Sequence, residues 1–156
     1  MKKLLLTTAV LLASISHAAT TVNLPLSGSV TAIYDLTIDV KPEAASLNIV
    51  GGETNELVAV VSEQSNALNG YKILMKSDNG SELRNTTDAT KKTTYTVSYN
   101  GATAISLTTV DQPVKTVASL PGLTTVASNV NVNVAPYGSA PAGTYTDTIR
   151  ITISAN

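Results

Sequence analysis

The chain has 156 residues, 10 basic and 11 acidic, for a net charge of −1; it contains one His, six Tyr and no Cys, Trp or Phe. Without cysteine, no disulfide can brace the fold and no thiol can serve as nucleophile or metal ligand. A near-neutral chain whose charges form no runs is a poor match for nucleic acid or an anionic membrane surface.

The first segment is Met1-Lys2-Lys3, an apolar stretch from Leu4 to about Ile15, and Ser16-His17-Ala18. A basic start, a short apolar stretch and small residues at −3 and −1 of a cut after Ala18 predict a secretory signal peptide over 1–18. The stretch is short for a membrane anchor, the competing reading. Cleavage leaves 138 residues, enough for one domain, and takes the net charge from −1 to −3 through loss of Lys2 and Lys3. It also removes His17, the lone histidine. Ser–His–Asp and Cys–His catalysis and ordinary zinc sites are then excluded, so the expectation is no enzyme, no cofactor and no metal.

The second segment, residues 19–31, reads Ala-Thr-Thr-Val-Asn-Leu-Pro-Leu-Ser-Gly-Ser-Val-Thr. Val22, Leu24, Leu26, Gly28 and Val30 fall on alternate positions, so an extended chain places all five on one side. The next strand-like stretch begins at Ile33 with no turn signal between, which argues against a hairpin. The segment is predicted to lead out of the domain, where it could be buried in another molecule by strand addition. The alternative is an ordinary first strand of a self-contained sandwich.

Residues 32–156 are predicted to be all-β, with no long helix. The expected strands are Tyr34–Val40, Ser46–Val50, Leu57–Ser62, Tyr71–Lys76 and Thr93–Tyr99, followed by a hairpin partner at Ile105–Leu107 across Asn100-Gly101. Two more follow: Asn129–Val134, with valines and asparagines on opposite faces, and a last strand in which Tyr145, Ile149, Ile151 and Ile153 alternate with polar residues. Short strands with turns at Gly51-Gly52, Asn69-Gly70 and Asp78-Asn79-Gly80 suggest one immunoglobulin-like β-sandwich. The last strand runs almost to the end of the sequence with no strand after it, so one of its edges could be open.

Both ends resemble a known family. Val22-Asn23-Leu24-Pro25-Leu26-Ser27-Gly28-Ser29-Val30, running on to Ile33-Tyr34-Asp35-Leu36, resembles the donor-strand region of chaperone–usher pilins, closest to the class 5 (alpha) colonisation-factor-type major subunits. Ser139-Ala140-Pro141-Ala142-Gly143-Thr144-Tyr145-Thr146-Asp147-Thr148-Ile149 resembles the last hairpin of those subunits and of spore-coat-U-like archaic Csu-type pilins. The resemblance implies an incomplete immunoglobulin-like sandwich completed by donor-strand complementation. Val22, Leu24, Leu26, Gly28 and Val30 would be donor residues; Tyr145, Ile149, Ile151 and Ile153 would line the acceptor groove and meet the chaperone. The implied partners are other copies in a fibre, a periplasmic chaperone, an outer-membrane usher and a minor tip adhesin. The implied location is the cell surface, in a fimbria supporting adhesion or biofilm formation. Two features depart from the pattern: Pro25 removes one donor from the strand ladder, and the disulfide of many classical and archaic pilins is absent.

Other readings compete. A monomeric secreted sandwich could bind carbohydrate through exposed tyrosines among Tyr34, Tyr71, Tyr95, Tyr99, Tyr137 and Tyr145, although alternate Tyr in strands more often packs. Asp35 with Asp39, or Glu53 with Glu56, could suggest glycosidase carboxylates, but scattered acids are usually solvated charge. Asp78-Asn79-Gly80 hints at a calcium loop without the further ligands one needs, and reads better as a turn.

Overall fold

The computed structural model describes residues 19–156, and the expected signal peptide over 1–18 lies outside them. The chain divides between Val30 and Thr31. Residues 19–30 carry no helix or strand. Residues 31–156 form nine strands and one short 3-10 helix: β1 (Tyr34–Val40), the 3-10 helix (Pro42–Ala45), β2 (Glu53–Ser65), β3 (Tyr71–Ser77), β4 (Glu82–Asn85), β5 (Lys92–Tyr99), β6 (Gln112–Val117), β7 (Thr124–Val134), β8 (Tyr145–Thr146) and β9 (Ile149–Ala155).

The strands make two sheets, one ordered β1-β2-β7-β5-β4-β8 and the other β6-β3-β9, with every pairing antiparallel. Period-two patterning explains which side faces inward. In β7, Val130, Val132 and Val134 are buried, and in β5 Tyr95, Val97 and Tyr99 are buried. Tyr71, Ile73 and Met75 of β3 face them from the smaller sheet. The result is an all-β sandwich around one apolar core. No helix among the described residues is long and apolar enough to cross a membrane.

Three expected strands come out differently. Ser46–Val50 is a turn: the 3-10 helix opens at Pro42, and Asn48 then caps the next bend by accepting from Gly51 N (2.8 Å) and Gly52 N (2.9 Å). An Asn that hydrogen-bonds the backbone just ahead of it competes with strand pairing. Asn100 and Gly101 do adopt positive φ (51° and 76°), but the returning chain pairs only through a Val97–Ile105 bridge. Finally, the last strand is interrupted. β8 pairs with β4 in the larger sheet, whereas β9 pairs with β3 in the smaller one, so the chain changes sheets at Asp147-Thr148.

Asp147 fastens that crossing. Its carboxylate accepts from Ser77 Oγ (2.5 Å), Tyr95 OH (2.6 Å), Asn79 N (3.0 Å) and Thr148 N (2.7 Å). Four donors satisfy a half-buried anion that burial would otherwise penalise. Desolvation, with the hydrogen bond to Asp147, pushes the Tyr95 hydroxyl well above its ordinary pKa.

Candidate functional site: a groove between two sheet edges

β1 is an edge strand of the larger sheet and β9 is an edge strand of the smaller one. Each uses one side for pairing, β1 to β2 and β9 to β3, and leaves the other side of its backbone without a strand. Between them the sandwich is open. A cavity of ≈ 340 Å³ has walls of Ile38 and Val40 from β1 and Ile149 and Ile151 from β9. Its floor is the core itself: Val58, Ala59, Leu83, Tyr95, Val130 and Val132. A second hollow of ≈ 250 Å³ continues along the same cleft, sharing Ile38, Ile149 and Ile151 and adding Leu36, Thr37 and Val61.

The walls are apolar and wet. Ile38 is 54% exposed and Val40 61%, although Leu36, Ile38 and Val40 lie on alternate positions of one strand. An alternating apolar edge strand left in water is an invitation to strand pairing, which natural folds ordinarily blunt. β1 does carry acids: Asp35 and Asp39 fall on its other positions, with Asp39 paired to Lys41. Those carboxylates mark the strand's polar side.

The residues singled out in the sequence distribute unevenly about this groove. Ile149 and Ile151 line it. Ile153 packs against the core and lies opposite Ile73 in the β3–β9 ladder. Tyr145 stands apart on β8, donating its hydroxyl to Pro141 O (3.0 Å) and meeting Tyr137 edge to face, with centroids 6.4 Å apart. The opposite wall, Leu36, Ile38 and Val40, was not among the acceptor residues expected from sequence. Its signal was present in the alternation of β1, but nothing local says that β1 and β9 end up side by side.

Residues 19–30 present the complementary character. Val22, Leu24, Leu26 and Val30 are each between 81% and 88% exposed. A Cβ built on Gly28 meets nothing within 4 Å.

The other polar features are accounted for within the fold. Asp78 is held by both Nε and Nη2 of Arg150 (2.8 and 2.9 Å), which lowers its pKa, and Asn79-Gly80 completes a turn. Among the described residues no group of three or more His, Cys, Asp or Glu side chains could hold a metal ion. Tyr71, Tyr95 and Tyr99 are core residues, leaving Tyr34, Tyr137 and Tyr145 nearer the surface.

One cluster was invisible in the sequence. Glu63 is fully buried, and its carboxylate accepts from Tyr71 OH (2.6 Å), Tyr99 OH (2.5 Å) and Lys115 Nζ (2.8 Å). Lys115 Nζ also reaches Ser128 Oγ (3.2 Å). Burial works against ionising Glu63, but its bonds to Lys115, Ser128, Tyr71 and Tyr99 outweigh it, and the pKa is lowered. Desolvation and the adjacent carboxylate raise both tyrosine hydroxyls far above their ordinary range. The cluster joins β2, β3, β5, β6 and β7, and so ties one sheet to the other. The tyrosines and lysine that donate to Glu63 lie 8 to 52 residues from it, a spacing no local pattern reveals.

No family model matches the chain, and no curated protein matches it.

Proposed function

We propose that the chain is a structural subunit of a chaperone–usher-type fimbria, most simply its major subunit, and that the β1/β9 groove takes the N-terminal segment of a neighbouring copy. The observation that carries this reading is the apolar cleft between two unpaired sheet edges, in a chain that also holds an exposed, alternating apolar segment. A strand laid in the cleft would find free backbone groups on β1 and β9 and an apolar floor for its alternate side chains. Val22, Leu24, Leu26 and Val30 are the side chains to bury, Gly28 allows close backbone approach, and Pro25 forgoes one rung. No charge transfer, nucleophile or metal enters such a role.

Such a groove needs cover before assembly, because an open edge over an exposed core aggregates. That is the service of a periplasmic chaperone, with an outer-membrane usher as the place of exchange. Export through the periplasm to the cell surface follows from the same reading, and a minor tip adhesin would end the fibre. The alternative, a monomeric secreted carbohydrate-binding sandwich, predicts a lone folded chain and glycan binding by Tyr137 and Tyr145.

The test is removal of residues 19–30. The full chain is expected to form concentration-dependent fibres visible by electron microscopy. The shortened chain should remain unpolymerised yet bind a synthetic peptide of residues 19–31. Polymers from the shortened chain equal to those of the full chain would refute the proposal.

A further inference from the structure

The ladder between β1 and β2 ends at the pair Tyr34–Ser65. Just past the end of β2 stands Asn66, facing the stretch that leads into the N-terminal segment. Its side chain continues the ladder: Asn66 Oδ1 accepts from Ile33 N (2.7 Å), and Asn66 Nδ2 donates to Thr31 O (3.0 Å). A carboxamide carries the same donor and acceptor as a peptide group, so it can stand in for one. The β2–β3 turn that holds Asn66 is itself braced. Ala67 N donates to Ser65 Oγ (3.1 Å), Gly70 N to Ala67 O (2.8 Å) and Leu120 N to Leu68 O (3.3 Å).

We infer that Asn66 is a positioning residue for strand donation, a clamp that removes the slack between a subunit and the strand it gives away. This rests on the fimbrial reading above. The alternating apolar positions run to Val30, and the backbone of Thr31, the next residue, is already bonded to its own sandwich. A donated strand seated to Val30 in a neighbour would therefore leave no free residue between the two domains. Without the clamp, Thr31, Ala32 and Ile33 are released as far as Tyr34, adding about 10 Å of reach at ~3.3 Å per residue. A link with no free residue transmits orientation from one subunit to the next, whereas three loose residues make a swivel.

The experiment compares Asn66→Ala and Asn66→Asp with the wild-type chain. Asp retains the acceptor for Ile33 N and loses the donor to Thr31 O. Amide exchange of Ile33 in the unassembled chain should quicken about tenfold in the Ala variant and stay close to wild type in the Asp variant, the loss expected for one hydrogen bond. Fibres of the Ala variant should still form, since the groove and residues 19–30 are untouched, but their persistence length by electron microscopy should fall roughly twofold or more. Binding of the 19–31 peptide to each variant lacking residues 19–30 should match wild type, which separates the clamp from the groove. Unchanged Ile33 exchange, or Ala-variant fibres as stiff as wild type, overturns the inference and leaves the fimbrial reading standing. Failure of the wild-type chain to form fibres overturns both, even with Ile33 exchange as expected.

Discussion

Moving residues 19–31, the proposed donor segment, from one end of the chain to the other provides a quantitative check on the groove. The variant lacks residues 19–30 and carries residues 19–31 behind Asn156 on a flexible linker, so that the segment can turn back along β9. Occupation of the groove in cis stabilises the folded state alone and raises Tm. The decisive comparison is a second tail with Leu24→Ala and Leu26→Ala. In the free chain these leucines are 81% and 87% exposed, so their truncation cannot harm the sandwich. Each substitution removes three carbons from a side chain that the groove would bury, worth ~2.4 kcal/mol at about 0.8 kcal/mol per methylene, or ~5 kcal/mol for the two. For a domain of this size, ~3 °C per kcal/mol converts that to a Tm deficit of ~15 °C between the two tails. Differential scanning calorimetry reads it directly. The same two substitutions at the natural N-terminus of the unassembled chain should leave Tm unchanged. No gain from the wild-type tail, or an equal gain from the alanine tail, would refute the reasoning.

Two further predictions concern the sandwich itself. The pKa of Glu63 is held below its ordinary 4.5, so its contribution to stability is present above that pH and is lost as pH falls through the lower folded value. Urea midpoints of the wild type should therefore drop as pH falls below 4.5, whereas Glu63→Gln should show a flatter acid limb. At neutral pH the Gln variant should be less stable by ~3–5 kcal/mol because Lys115 loses its buried partner, and Tyr99→Phe by ~1.5–3 kcal/mol. Gly70 and Gly80 both have positive φ (71° and 70°), but a Cβ on Gly70 would lie 1.8 Å from Val117 O, while one on Gly80 meets nothing within 4 Å. Gly80→Ala should cost about 1 kcal/mol of backbone strain; Gly70→Ala must also displace the β6 end and should unfold at a markedly lower temperature.

Local pattern made much of this fold legible. The β1 bounds coincide with the alternation of Tyr34–Val40, and Val130, Val132 and Val134 bury the face that their spacing indicated. The elements that escaped are those without a local signature. β4 is four residues long, and β6 contains Pro113, which its place at the edge of the smaller sheet tolerates. The groove was half legible. Its β9 wall, Ile149 and Ile151, follows from the terminal strand's alternation, but the pairing of that wall with Ile38 and Val40 depends on a chain that changes sheets at Asp147. The Glu63 cluster required five strands to converge, and a lone acid in Leu57–Ser65 gives no hint of two tyrosines and a lysine waiting for it.

The chemistry of the groove wall also governs how its contents should respond to conditions. Among the residues lining the larger hollow, Asp147 is the single carboxylate and there is no lysine or arginine. Its four donors already satisfy it. A strand entering such a cleft gains little from Coulombic attraction, so ionic strength has little to screen. What it displaces is water over aliphatic carbon, and the signature of that exchange is a negative heat-capacity change. The proposed union would then be weakest in the cold and strengthened by sulfate, a joint whose grip is set by the solvent's cohesion.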